Sequence, residues 1–413
     1  MSTTRRRILR LAGAGMAVTA AGCIGGNDEP EEPDDDTAPN GVDDGETDEE
    51  PDDDEEPLET VLVHEPWATY AGDPANTGYA PDAEPPEGEL DWSYGTEGPI
   101  NSSPVVVDGT VYVGSNDNSL HAVDAVEGEA DWTFGTGSSV QSSPLVADER
   151  VFVGSDDNNL YAVSLDGDED WRFSGEGPVR ASPKLAEIEL RDLVVFGEDR
   201  FGGGATGDRR SLQAVRLDGT TEWTFRTGEY IESAPAVAYG NVYVPRHDGF
   251  VYSVDAETGD QNWFHRETAS IRASPAVRDR RVVYGDTAGV VRALDADEDE
   301  VLWSYDAGAG VRSSPSLTED TVYFGDESGT FHALTTDGEP VWTFETGDSV
   351  RSSPAVGDGY VAFGSRDGNV YALDLEGDEL WSYETGRSVV SSPAIIEGRL
   401  YVGSVDRNLY AFV

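Results

Sequence analysis

The sequence predicts an all-β fold, an eight-bladed β-propeller of four-stranded antiparallel blades, and three observations lead there. Tryptophan recurs as Trp92, Trp132, Trp171, Trp223, Trp263, Trp303, Trp342 and Trp381, at spacings of 39 or 40 residues with one gap of 52. A proline follows each tryptophan by twelve residues, from Pro104 to Pro393. The last unit stops after three strands, and a spare strand around Trp92 precedes the first proline. Units of about 40 residues repeated around a ring describe propeller blades.

One unit shows why each blade holds four strands. Ser313-Ser314-Pro315-Ser316-Leu317 begins an extended run, and Glu319-Asp320 turns it. Thr321 to Gly325 alternates β-branched and aromatic residues, and Thr330 to Leu334 reads as a third strand. Asp337-Gly338 then leads into Val341-Trp342-Thr343-Phe344. Short strands bounded by Gly, Asp and Asn turns are the hairpin pattern. Proline suits the start of an innermost strand, an edge where its missing N–H costs nothing. The strand at residues 89–94 is expected to join the last three strands, so that the N-terminal Trp92 strand closes the ring.

The first sixty residues read differently. Residues 1–22 form an export signal: Arg5 and Arg6 sit in a twin-arginine pattern, followed by a stretch too short and weakly apolar to span a bilayer. Ala20-Ala21-Gly22-Cys23 resembles a lipobox, which implies cleavage before Cys23 and a lipid on its sulfur. Residues 23–60 carry that cysteine and then a linker with 19 acidic residues between 27 and 60. So little apolar surface predicts a disordered stalk between the lipid and the propeller of residues 61–413. The expected location is the extracytoplasmic face of the cell membrane.

Charge narrows the partners. The chain carries a formal −55, and residues 61–413 alone hold 63 acidic against 23 basic residues. Such a surface argues against nucleic acid. With Lys184 the only lysine, it also matches a halophile's protein, whose self-repulsion is screened in concentrated salt. Cys23 is the sole cysteine, which excludes an intrachain disulfide and a thiolate metal cluster.

Asp255-Ala256-Glu257-Thr258-Gly259-Asp260-Gln261-Asn262-Trp263 resembles the tryptophan-docking motif of quinoprotein-type (PQQ-like) propellers, and Asp124 to Trp132 repeats it less fully. Residues 67–79 resemble the lead-in segment of such proteins. The resemblance implies that the eight tryptophans pack between blades. It also implies two branches of function. One comprises dehydrogenases that oxidise alcohols or sugars with pyrroloquinoline quinone and calcium. The other is non-catalytic and includes the outer-membrane assembly lipoprotein BamB, a scaffold for protein partners. Bare blades consume nearly the whole domain, and the vicinal cysteines of several alcohol-oxidising members are missing. The sequence therefore predicts a monomeric, haloarchaeal, BamB-like binding or scaffold module with no catalytic residue, metal or cofactor. A quinone-dependent dehydrogenase and a sensor ectodomain are the rival readings.

One column stands out. The residue three places before each proline is Asn101, Gln141, Arg180, Glu232, Arg272, Arg312, Arg351 or Val390. Arg180, Arg272, Arg312 and Arg351 should gather at one mouth of the channel, where planar guanidinium groups suit a carboxylate or phosphate. The rival expectation is that they pair with Glu232 and neighbouring acids to hold blades together. The third unit is longer by about 13 residues, divided between 187–192 and 200–210. His121 and His332 stand where other units have Tyr161, Tyr252, Tyr371 and Tyr410, which marks them as packing residues.

Overall fold

The computed structural model describes residues 67–189, 191–198 and 210–413. The signal with Arg5 and Arg6, Cys23, the acidic linker and most of residues 200–210 lie outside these. Every blade is a four-stranded antiparallel sheet, and there are eight. Blade one runs Val105–Val107, Thr110–Ser115, Ser119–Asp124 and Ala130–Gly135, from the channel outward. Blade eight takes Ala394–Ile396, Arg399–Gly403 and Asn408–Phe412 from the C-terminus, and Leu90–Gly95 lies outside them. Trp92 is paired with Ala411 and Ser93 with Tyr410. The N–H groups of Glu89 and Val413 donate to each other's carbonyls at 3.2 and 3.0 Å.

Two repeated devices join the blades. The first is tryptophan docking. In each outer strand a bulge at the residue before tryptophan shifts the register, as between Ala122 and Val123 in blade one. Bulges re-aim side chains, and here the indole turns onto the next blade. Trp132 Nε1 donates to Leu165 O at 2.8 Å, and Trp223 and Trp303 donate to Ala256 O and Thr336 O at 3.0 and 2.8 Å. Trp171, Trp263 and Trp342 make the same bond at 2.9, 3.1 and 2.7 Å. Trp92 reaches Ala125 O at 3.1 Å, and Trp381 reaches Pro86 O at 3.0 Å. Gly88, at φ 84°, lies so close over Trp381 that a Cβ would stand 2.5 Å from the ring.

The second device is a serine belt. The backbone N–H of Ser103 donates to Ser143 Oγ in the next blade at 2.9 Å, and Ser143 does the same to Ser182. The pattern continues from Ala234 to Ser274, Ser314, Ser353 and Ser392, and Ser392 returns to Ser103 at 3.0 Å. It lapses only where Ala234 has no hydroxyl to accept. These serines stand at the starts of the innermost strands, and their bonds run between blades.

The innermost edge is not bare, contrary to the sequence expectation. Residues 67–83 run around the inside of the ring as a strap. Carbonyls of Trp67, Ala68, Pro74, Ala75, Thr77 and Gly78 accept the N–H groups of Val106, Val146, Val237, Val277, Leu317 and Val356 at 2.7–2.8 Å. Edge N–H groups that would otherwise be orphaned are thereby satisfied. At blade three the strap bulges, and a side chain replaces the backbone bond. Lys184 Nζ donates to Tyr70 O and to Asp73 O, the latter at 2.7 Å.

That lysine is fully buried. Burial brings its pKa from 10.5 down to about 7, against the opposing pull of Asp73. An unfolded lysine titrates near ~10.4, so between about pH 7 and 10 the unfolded chain holds a proton that the folded chain lacks. Stability should therefore rise with pH across that window and be flat below it. The window ends near pH 10, where tyrosines such as Tyr161, raised to about 12 by burial and by Asp157, begin to favour the unfolded chain. Denaturant titrations at pH 7 and 9.5 should show an increase of a few kcal/mol that Lys184→Met removes. Equal pH slopes in the two proteins would contradict a neutral lysine.

Candidate anion-binding site

Antiparallel topology puts the links between blades and the turns between second and third strands on one face of the ring. The column that begins with Asn101 lies on that face, ahead of the serine belt. The strap bonds the innermost strands five residues further on, about 15 Å at strand rise. Tyr70 projects from the strap, and its hydroxyl meets Ser314 Oγ at 2.8 Å and Ser353 Oγ at 2.6 Å. The mouth on the arginine side is thus a pit whose inner end holds the strap and Tyr70.

The predicted arginines come together in two sectors. In the first, Arg180 Nε stands 2.7 Å from Asp156 Oδ1, which faces Gln141 through its other oxygen at 2.7 Å. Arg180 Nη1 is 3.8 Å from Glu232 Oε1, and Glu232 faces His247 Nε2 at 3.1 Å. The His247 hydrogen bond, with the charges of Arg180 and Arg272, holds the Glu232 carboxyl below its ordinary range. This sector follows the internal-pairing expectation.

The second sector does not. Arg312 and Arg351 both approach one oxygen of Glu327, at 3.0 and 2.9 Å. Arg272 is exposed, and among the described residues no carboxylate lies within 4.0 Å of it. Burial lowers the Arg312 pKa, and the like charges of Arg351 and Arg272 add to that effect while Glu327 opposes it. Arg312 and Arg351 thus share one close carboxylate, and Arg272 acts on Arg312 and Glu232 from beyond ion-pair distance. Planar N–H forks at the rim of a pit can take a carboxylate or phosphate bidentately.

Asp156, His247 and Glu327 escaped the sequence reading. Each follows the end of a second strand, in a column that also holds Asn116, Thr287 and Arg366. Aligning that column would have revealed them. His121 and His332 face Asp117 and Asp326 at 3.1 Å, as Tyr161 faces Asp157 at 2.7 Å. They act as the tyrosines of their column do.

A calcium–quinone pair finds no cation cradle here. Asp156, Glu232 and Glu327 are each engaged by arginine or histidine. Among the described residues no three His, Cys, Asp or Glu side chains converge to hold a metal.

Comparison with solved structures recovers the same architecture. The quinohemoprotein alcohol dehydrogenase of Comamonas testosteroni superposes with a TM-score of 0.71 at 16% identity, over 84% of this chain and 80% of that one. BamB of Moraxella catarrhalis gives 0.65 at 18% identity, over 78% and 97%. The computationally designed Ika8 protein gives 0.68 at 18% identity, over 79% and 99%. The fold therefore accommodates both dehydrogenases and BamB. No curated protein matches the sequence. The family model for outer membrane protein assembly factor BamB matches residues 77–211, 208–336 and 332–413 in succession. The repeats, the docking tryptophans and this match from residue 77 to the C-terminus agree, and the chain belongs to the BamB-type family of PQQ-like propellers.

Proposed function

We propose that this protein is a non-catalytic binding module, tethered by lipid at Cys23 to the extracytoplasmic face of the membrane of a salt-adapted cell. Its arginine-lined pit takes an anionic group of a protein partner. The observation that carries this reading is the second sector: Arg312 and Arg351 share Glu327, and the charge of Arg272, which has no carboxylate within 4.0 Å among the described residues, acts beside them. The strap supports it, because its backbone and Tyr70 stand inside the ring behind the arginines. The family description, an assembly factor, supports a protein as the partner. Export through Arg5 and Arg6 and the acidic stalk of residues 23–60 fit a tethered module.

Isothermal titration in concentrated salt with glutarate and with an oligo-aspartate peptide tests the site. The expected result is saturable heat in the wild type and at least about a tenfold loss of affinity in Arg312→Ala, since a charged hydrogen bond contributes about 1.5–3 kcal/mol. Identical heats in the two proteins would remove the pit as a binding site.

A further inference from the structure

Blade four breaks the repeat twice at its surface, and both breaks are aromatic. Phe250 opens the third strand, Phe250–Asp255, where the other seven blades have serine, threonine, asparagine or valine. Phe264 follows the docking tryptophan, where the other seven have serine, threonine or arginine. Neither change is needed for the blade, since seven others fold without it.

The two rings meet around Tyr252. Phe250 stacks on Tyr252 with centroids 5.9 Å apart and planes at 15°. Phe264 lies 5.7 Å from Phe250 and 5.9 Å from Tyr252. Arg246 locks the group from one side. Its Nη1 donates to the Tyr252 hydroxyl at 2.8 Å and its Nε to Asp248 at 2.9 Å. Its guanidinium stands 5.0 Å from the Phe250 centroid. Arg266 flanks the same ring at 5.2 Å. It is exposed, and no carboxylate approaches it within 4.0 Å among the described residues. Phe264 is itself 45% exposed.

Phe264 thus presents an exposed ring, backed by Phe250 and Tyr252, beside an exposed arginine with no carboxylate within 4.0 Å among the described residues. Aromatic residues and arginine dominate the binding energy of protein interfaces. We propose that Phe250, Tyr252, Phe264 and Arg266 form a second recognition surface, for an extended peptide segment of a partner protein that carries a carboxylate beside an aromatic side chain. The rings take the aromatic group, and Arg266 takes the carboxylate. Concentrated salt screens the charge contact and strengthens apolar burial, so the rings carry the larger share of the binding. The surface is separate from the pit and stands whether or not the pit binds anions.

The test uses the full chain and a short fluorescent peptide alternating aspartate with tryptophan, followed by anisotropy in concentrated salt. Wild type should bind it. Phe264→Ala and Arg266→Gln should each weaken binding about tenfold or more while leaving the thermal midpoint within about 2 °C. In an Arg312→Ala background, which removes binding at the pit, the loss caused by Phe264→Ala should persist. The proposal is overturned if wild type does not bind, or if Phe264→Ala binds equally well. A loss confined to Arg312→Ala would assign the peptide to the pit and overturn it too. So would displacement by oligogalacturonate with the same dependence on Phe264, which would make the ligand an acidic sugar.

Discussion

Deleting residues 88–96 is expected to leave a protein that no longer melts as one cooperative unit. The deletion removes Leu90–Gly95 and with it every ladder bond to Asn408–Phe412. It also removes Trp92, whose indole bonds Ala125 O and lies under Gly128, and Gly88, which covers Trp381. Both junctions beside blade eight are damaged together. Loss of a large aromatic from a packed site costs about 3–5 kcal/mol, and the strand adds more. Against total stabilities of about 5–15 kcal/mol, that is a large share. The freed edge exposes the backbone of a strand that carries Leu409, Tyr410 and Phe412, an invitation to aggregate. Calorimetry should show a midpoint at least about 10 °C lower, or a broad transition with precipitation. A sharp transition at the parent's temperature would show that this strand is dispensable.

Gly78→Val is expected to unseat the strap and to destabilise the fold by about 3 kcal/mol or more, from strain and overpacking together. Gly78 sits at φ 63°, where a β-branched residue is strained. A Cβ there would also meet Ser316 Oγ and would stand 2.8 Å from Pro354 O, a backbone atom with little room to move. The Gly78 carbonyl is the acceptor for Val356 N–H at 2.8 Å, so any shift orphans a buried donor. Gly109→Val supplies the comparison. Gly109 has φ 78° but nothing within 4 Å of its would-be Cβ, so it carries the strain without the collision. Denaturant midpoints should place Gly78→Val well below Gly109→Val. Equal losses would mean that the strap does not hold the ring.

The ring was legible because its signals repeat. Tryptophan and proline columns mark the outer and inner strands of every blade, so eight weak signals reinforce one another. The serine before seven of the eight prolines was visible in the same way, though its partner in the next blade was not. The strap was poorly legible for a physical reason: it works through main-chain carbonyls, which any residue supplies, and only scattered positive-φ positions, Ala71, Gly72, Asn76 and Gly78, mark its course. Lys184 stood out as the lone lysine, yet nothing local predicts that it substitutes for a backbone bond across the channel. The arginine column was visible as a column. Its division into a paired and an under-neutralised sector depends on Asp156, His247 and Glu327, which reach the mouth from a different turn of each blade. The aromatic cluster of blade four was hidden because the repeat draws attention to what recurs, whereas the cluster is what departs.

The central claim is that N-terminal and C-terminal strands share one blade, closing an annulus whose inner edge the strap then lines. Gly95 and Asn408 face each other in that pairing. The most direct test is a disulfide between Gly95→Cys and Asn408→Cys in a chain whose Cys23 is replaced by serine, formed under mild oxidation and read by gel mobility. The account predicts near-complete intramolecular crosslinking in the folded protein and little in denaturant. Free thiols in the native state, or crosslinks only between molecules, would contradict it.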